Sequence, residues 1–178
     1  MGRLYRRLKI TVRIIRALLG KRRMHETVTI CGHEEFIIST VKALELLKEK
    51  APDAYELLRR YVGNIISGKP SGVFPDILWL GPTFVIIGSS YSEGSTIEYA
   101  GALAHEAYHC ELYTNAEREN PGKSVEATAY SGEHAERLCL QYQCDVLRRL
   151  GLDEKDIKQY ESAMDTRWWD VPFDRQDW

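Results

Sequence analysis

Hydrophobic and polar positions follow two different periods in the first third of the chain, and these periods predict a strand and two helices. Residues 27–31 alternate between polar and apolar and end at Gly32, which is typical of a β-strand. Apolar residues then recur at helical spacing over 40–50, and this predicted helix closes before Pro52. Since proline is favoured in the first turn of a helix, a second helix is predicted to begin there. Its inward-facing positions are predicted to be Tyr55, Leu58, Val62 and Ile66.

The middle of the chain is rich in turn signals and in short apolar runs. A turn is predicted at residues 69–72, which read Lys-Pro-Ser-Gly. Beyond it, the runs at 77–80 and 84–87 are separated by Gly81 and Pro82. They predict two short strands joined by a turn.

Two long helices are predicted in the second half of the chain. Ser95 and Glu98 have the S-x-x-E spacing of a capping box, so the first helix begins there and extends to about Tyr113. A polar loop follows over 115–123, and the last helix is predicted over 131–151 between glycines. Its apolar side comprises Leu140, Val146, Leu147 and Leu150. This order of strands and helices predicts an α+β fold.

Length and composition indicate one folded domain. The chain has 178 residues, of which 44% are hydrophobic and 28% charged, a balance that supplies a core and excludes a disordered chain. The apolar stretch over 8–19 is interrupted by Lys9, Arg13 and Arg16. These charges exclude a membrane span there, which needs about 18 apolar residues, and break the apolar core of a signal peptide. We therefore expect a cytoplasmic protein whose four cysteines are reduced.

Charge is distributed unevenly along the chain. Residues 1–23 contain nine Lys or Arg and no Asp or Glu. The whole chain has 24 Lys or Arg and 26 Asp or Glu, so the residues after 23 have a net charge of −11. This division predicts a basic N-terminal segment over 1–25 and a domain over 26–178 with an aromatic C-terminal tail at 167–178. We expect the basic segment to pack on the acidic domain. Contact of residues 3–23 with a membrane surface is the less favoured alternative, and nucleic acid is not an expected partner.

One motif has recognisable chemistry. Residues 104–109 read Ala-His-Glu-Ala-Tyr-His and lie within the first of the two long predicted helices. Residues four apart share a helix face, so His105 and His109 can both bind one metal ion through imidazole nitrogens. Glu106 lies beside this pair, where its carboxylate can accept a proton from water acidified by the metal. The motif predicts a Zn²⁺ site with Glu106 as the catalytic base.

A catalytic zinc site usually has three protein ligands, so a third must come from another element. The longer motif that adds a third histidine soon after His109 is absent, and the candidates lie downstream. Glu136 is preferred because it heads the apolar stripe of the last helix, which faces inward. The alternatives are Glu133, Glu126 and, as the non-carboxylate option, His134.

The H-E-x-x-H helix, followed by a loop and a second helix with a glutamate, resembles the gluzincin branch of the zincin metallopeptidases and its smallest members, the minigluzincins. The resemblance covers residues 83–151 and includes an E-x-x-small pattern beginning at Glu136, with Cys139 in the place of the usual alanine. It implies a zincin-like fold, in which a small mixed β-sheet packs on the H-E-x-x-H helix and on the second helix. It also implies that residues 83–89 form the edge strand of that sheet and pair with extended substrate, and an ordinary core strand is the equally weighted alternative for this run.

The resemblance further implies a zinc-dependent metallopeptidase that hydrolyses peptide bonds in peptide or protein substrates, with Glu106 as general base and then general acid. A Tyr or His often stabilises the oxyanion in gluzincins, and the candidates are Tyr108, Tyr130 and His134.

Two other functions stay open. One is a catalytically inactive, metal-stabilised binding protein on the same scaffold, whose basic N-terminal segment contacts a partner or an anionic surface. The other is a structural helix without metal. The tail at 167–178 would cap the core, block the cleft as a latency plug or mediate self-association, and core capping is favoured. The sequence leaves the oligomeric state open.

Overall fold

The computed structural model of the chain describes residues 12, 15, 19–68, 71–74, 83–87 and 94–165, without the side chains of residues 74, 83, 84 and 86. Its strands are β1 (Arg22–His25), β2 (Val28–Cys31), β3 (Val62–Ser67), β4 (Gly72–Phe74) and β5 (Thr83–Ile87). They form one sheet in the order β1-β2-β3-β5-β4. The outer pairs β1–β2 and β4–β5 are antiparallel, whereas β2–β3 and β3–β5 are parallel, so the sheet is mixed.

The helices whose bounds the structure describes are α1 (Glu34–Lys50), α2 (Pro52–Tyr61), α3 (Thr96–Glu119), α4 (Glu133–Leu150) and α5 (Glu154–Ala163), with a 3₁₀ turn at Ala127–Ala129. Helix α3 packs against α1, α2 and α4 and is the centre of the helical layer. Several helices and one small mixed sheet confirm the predicted α+β class. In the described ranges, no helix combines the length and the apolar character that crossing a membrane requires.

The main core lies between one face of the sheet and the helices α1, α2 and α3. Because side chains alternate along a strand, every second residue of a strand can point at the same helical layer. Hydrophobic residues of the sheet in this core are Val28, Ile30, Val62, Ile65, Val85 and Ile87, and those of the helices include Phe36, Leu44, Leu58 and Leu103.

Helix α1 begins earlier than the sequence predicts. Apolar spacing places its start near residue 40, but the helix begins at Glu34 because His33 caps it. The Nδ1 atom of His33 accepts a hydrogen bond from the Phe36 N–H at 3.2 Å, which satisfies one of the free N–H groups of the first turn.

Helix α2 begins at Pro52, as predicted, but ends at Tyr61. Val62 and Ile66 are buried as predicted but belong to β3, so only their assignment to a helix is wrong. The register of β3 against β5 shifts between Val62 and Asn64, which places Val62 with Ile65 in the core under the helices. Parallel pairing with β2 and β5 satisfies the backbone here. The other two inward positions, Tyr55 and Leu58, are buried as predicted.

Both edges of the described sheet differ from the sequence prediction. On one side, Arg22 and Arg23 begin β1 and pair with β2, a strand that the sequence does not predict. The run at 83–87 is a strand, β5, as predicted. However, the expectation of an edge strand over 83–89 is wrong, because β5 lies between β3 and β4. The edge on that side is β4, which at three residues is too short to show a period of its own.

The second half of the chain follows the prediction more closely. Helix α4 begins after Gly132 and ends before Gly151, as predicted; their φ angles of 86° and 89° lie in the region that favours glycine. Helix α3 extends to Glu119 rather than to about Tyr113, so residues 115–119 are helical and not part of a loop. The sequence does not predict α5, whose start is capped by Asp153.

Several predicted features lie at least partly outside the described residues. These are the apolar run at 77–80 with the turn at Gly81 and Pro82, half of the turn at 69–72, most of the basic segment before residue 19, and the aromatic tail at 167–178.

Candidate metal centre

Helix α3 brings the H-E-x-x-H motif into the middle of the helical layer. Its start is capped as predicted, since the Ser95 hydroxyl oxygen accepts a hydrogen bond from the Ile97 N–H at 3.2 Å. Glu98, the second predicted capping residue, accepts a hydrogen bond from the Tyr160 hydroxyl at 3.2 Å and so connects α3 to α5. The first turn of α3 is therefore held both by its own cap and by a neighbouring helix.

A buried hydrogen-bond chain fixes α3 against α1. The Thr40 hydroxyl donates to the Phe36 carbonyl at 2.7 Å. Since that hydroxyl has one proton, the 2.6 Å contact between Thr40 Oγ1 and the Tyr99 hydroxyl is donated by Tyr99. Tyr99 is fully buried, so this bond sets the position of α3 less than two turns before the motif.

Small side chains let other helices approach α3 closely. Ala100, Ala104 and Ala107 are fully buried. At Gly101 a Cβ atom would lie 2.5 Å from Leu147 Cδ2 of α4, a separation that real Cβ contacts do not reach. The glycine therefore permits the direct packing of α4 on α3, and α4 carries the preferred third ligand.

Three side-chain atoms of α3 and α4 converge on one point. The Nε2 atoms of His105 and His109 are 3.1 Å apart. Glu136 Oε2 lies 3.4 Å from the first of these nitrogens and 3.3 Å from the second. Ligands about 2.0–2.1 Å from a tetrahedral zinc ion are separated by about 3.3 Å, so the spacing fits a zinc site. The three predicted ligands lie together. Among the His, Cys, Asp and Glu side chains of the described residues, these three form the group that could hold a metal ion.

A backbone carbonyl orients one of the histidines. His109 Nδ1 is 2.8 Å from the Tyr130 carbonyl oxygen. A carbonyl oxygen only accepts, so Nδ1 carries the proton, and Nε2 of the neutral ring presents a lone pair to the convergence point. Metal-binding histidines are commonly held in this way through their second nitrogen.

Two buried atoms of the cluster lack a hydrogen-bond partner among the described residues: Glu136 Oε2 and His105 Nδ1. Glu136 Oε2 lies close to both imidazoles, but it accepts a hydrogen bond from neither of them. An unpaired buried oxygen is costly, and a cation between the three atoms would remove that cost. The donor set of two imidazoles and one carboxylate suits zinc.

Charges within the cluster favour an ionised carboxylate. Burial raises the pKa of Glu136, but the imidazoles of His105 and His109 more than offset it and lower the pKa to about 2. Burial lowers the pKa of His109, but its contacts with Cys139 and Glu136 outweigh burial and hold the pKa well above the usual value. Glu136 is thus anionic at neutral pH, and a metal ion bound here would displace the proton that this carboxylate favours on His109.

The predicted base, Glu106, follows directly after the first ligand on α3. It is 9% exposed, and burial raises its pKa, although His105 and His109 act in the opposite direction. A carboxylate with a raised pKa beside a candidate metal centre is suited to accept and then release a proton.

The rival third ligands do not join the cluster. Glu133 is exposed and pairs with Arg137 at 3.1 Å on the same helix. Glu126 and His134 are exposed on the surface. An inward-facing position on α4 thus distinguishes Glu136 from Glu133.

The candidates for oxyanion stabilisation make other contacts. The ring of Tyr108 stacks on Tyr142 of α4, with ring centroids 4.8 Å apart. The ring of Tyr130 packs edge-on against Tyr113 at 5.1 Å. The contribution of Tyr130 to the centre is its carbonyl oxygen, which sequence reasoning missed because every residue has one.

The four cysteines, Cys31, Cys110, Cys139 and Cys144, are free and buried. Cys139 lies one turn after Glu136 and touches His109, so the small position of the E-x-x-small pattern faces the centre.

Comparisons of the chain with family models, with curated proteins and with solved structures gave no match.

Proposed function

We propose that this chain is a zinc-dependent metallopeptidase of the gluzincin type, which hydrolyses peptide bonds in peptide or protein substrates. One observation carries the proposal: two imidazole nitrogens and one carboxylate oxygen converge at 3.1–3.4 Å. Glu106 follows His105 in the chain and interacts electrostatically with all three residues. The choice of a peptide bond as substrate rests on the resemblance of the H-E-x-x-H motif and the second helix to gluzincins.

Each residue of the centre has a distinct task. His105, His109 and Glu136 would hold the ion, and Tyr130 keeps the ring of His109 in the orientation that ligation needs. Bound zinc would supply a Lewis acid that polarises the scissile carbonyl and acidifies water.

Glu106 carries the proton transfers. Its carboxylate accepts a proton from the attacking water and then delivers that proton to the leaving amine. The raised pKa of its carboxyl group supports both steps, because the group is a better base in its ionised form and still releases the proton afterwards.

The deciding experiment substitutes the base and leaves the ligands in place. Glu106→Gln should retain zinc at the wild-type stoichiometry and lose hydrolysis of a mixed peptide library by about 100-fold or more, since general-base catalysis contributes about that factor. Zinc content is measured by elemental analysis and cleavage by mass spectrometry. Glu117→Gln, at an exposed position on the same helix, is the matched control and should cleave like the wild type.

Two results would contradict the proposal. Wild-type protein that holds zinc but cleaves no peptide would favour the metal-stabilised binding protein. Wild-type protein that holds no metal when purified without an affinity tag would favour a structural helix.

A further inference from the structure

Strand β1 is one edge of the described sheet, and part of its backbone points away from the sheet. In an antiparallel pair, facing residues alternate between those that exchange backbone hydrogen bonds and those that do not. The Gly32 N–H donates to the Lys21 carbonyl at 3.0 Å, so Lys21 is of the first kind. Arg22 and Met24 alternate with such positions in the register of β1 with β2 and are of the second kind. Their N–H and C=O groups therefore point outward from the edge.

This outer side of β1 is open in the described part of the molecule. Neither Arg22 nor Met24 has an outward backbone hydrogen bond to a described residue. Both residues are exposed, and Met24 is 61% exposed. An open strand edge is a template on which an extended chain can form a further strand, because the backbone donors and acceptors are already in line. The geometry of β1 thus suits an extended ligand.

The open edge is positively charged. Lys21, Arg22 and Arg23 are consecutive and exposed. Lys21 pairs with Glu34 of α1 at 2.9 Å, whereas the two arginines form no ion pair with a described residue. Successive side chains of a strand point to opposite faces, so a strand added to β1 meets one arginine on each face of the sheet. We therefore expect the added strand to be acidic.

A second copy of β1 fits this edge poorly. Antiparallel pairing of two β1 strands would bring the arginines of both chains together, and like charges across a strand pair are destabilising. Nucleic acid offers phosphates to the arginines but no row of N–H donors for the outward carbonyls of Arg22 and Met24. An acidic peptide in an extended conformation supplies both the carboxylates and the backbone groups.

We propose that β1 docks an extended acidic segment of a partner protein, which pairs with the outward backbone groups of Arg22 and Met24 and places carboxylates near Arg22 and Arg23. In this mode of recognition the main chain supplies affinity and the side chains supply specificity. The exposed Met24 side chain adds an apolar contact for one residue of the segment. The docking is independent of the metal centre, whose candidate ligands lie on α3 and α4.

The test measures binding of short fluorescent peptides to the full chain by fluorescence anisotropy. A peptide of alternating Val and Asp should bind, and added salt should weaken this binding because salt screens the exposed charges. A peptide of alternating Val and Lys has the same tendency to form a strand but should bind about tenfold or more weakly, because its charges repel the arginines. The Glu106→Gln protein should bind both peptides as the wild type does.

Met24→Pro tests the backbone contact. Proline removes the outward N–H at this position but leaves the hydrogen bonds between β1 and β2 in place, since Met24 takes no part in them. This variant should bind the acidic peptide about fivefold or more weakly, which is the factor that one hydrogen bond contributes. Met24→Thr keeps the N–H and favours a strand, so it is the matched control for loss of the methionine side chain.

Arg22→Gln and Arg23→Gln test the charge, and they carry the test if Met24→Pro fails to fold. Each should weaken binding of the acidic peptide by about two- to fivefold, the contribution of one exposed ion pair. Arg118→Gln removes an exposed cation of α3 and should leave the affinity unchanged.

Several results would overturn the proposal. These are no binding of the acidic peptide, equal binding of the two peptides, a folded Met24→Pro protein that binds as tightly as Met24→Thr, and arginine variants that bind as the wild type does. A wild-type dimer that Met24→Pro dissociates would instead assign the edge to a second copy of the chain. Binding of duplex DNA without binding of the peptide would identify nucleic acid as the partner.

Discussion

At the scale of single residues, the candidate centre depends on which glutamate of α4 faces α3. Glu133 and Glu136 are three positions apart and differ by only about 60° around the helix axis. Glu136 is in line with the buried residues Cys139, Leu140 and Gln143, whereas Glu133 is turned to solvent and pairs with Arg137. This small rotation separates a candidate ligand from a surface residue.

The difference between these glutamates is directly testable. Glu136→Ala should lower the affinity for Zn²⁺ by about 100-fold or more, because loss of a ligand costs at least as much as loss of a supporting contact. Glu133→Ala is the control and should keep wild-type affinity. Titration calorimetry of the metal-free protein with zinc measures both. Equal losses in the two variants would mean that α4 does not supply the ligand through Glu136.

At the scale of elements, the centre depends on the close packing of α3 and α4. Its ligands come from both helices, so any change in the distance between the helix axes moves Glu136 relative to the two imidazoles. The closest approach is at Gly101 and Leu147, and Leu147 is fully buried and cannot move aside into solvent.

Gly101→Ala should therefore lower the free energy of unfolding by about 1–3 kcal/mol, although alanine is the better helix former. Urea unfolding measures this loss. Leu147→Ala also destabilises the protein by leaving a cavity, but it makes room for the new methyl group. The double variant should lose less free energy of unfolding than the sum of the losses in the two single variants. Strict additivity would show that Gly101 and Leu147 are not in contact.

At the scale of the whole molecule, a bound ion would join parts of the fold that are distant along the chain. The ligands lie on α3 and α4, and Tyr130 between these helices holds His109. The sheet and α1 position α3 from the other side through the core and through the bond between Tyr99 and Thr40. Metal binding should consequently stabilise the fold and not only a local loop.

Zinc should raise the free energy of unfolding by about 2.7 kcal/mol at a free concentration 100 times the dissociation constant. Chemical denaturation with zinc or with a chelator measures the difference. The Glu136→Ala protein should gain much less under the same conditions. An identical gain in this variant would place the stabilising metal elsewhere in the chain.

The sequence alone determined the histidine pair of the candidate centre, the start of α3 and both ends of α4. A four-residue spacing of histidines, a serine cap and two flanking glycines are local signals, and local geometry is enough to interpret them. It also determined the α+β class, because this needs only the order of the elements.

Only the tertiary structure decided the rest. It placed Val62 and Ile66 in β3 instead of on a helix, since pairing with two neighbouring strands outweighs a local helical spacing. It placed β5 inside the sheet by adding the short strand β4, and it assigned the Tyr130 carbonyl to His109. Each of these depends on groups far apart in the chain, and their contact energies leave no periodic trace in the sequence.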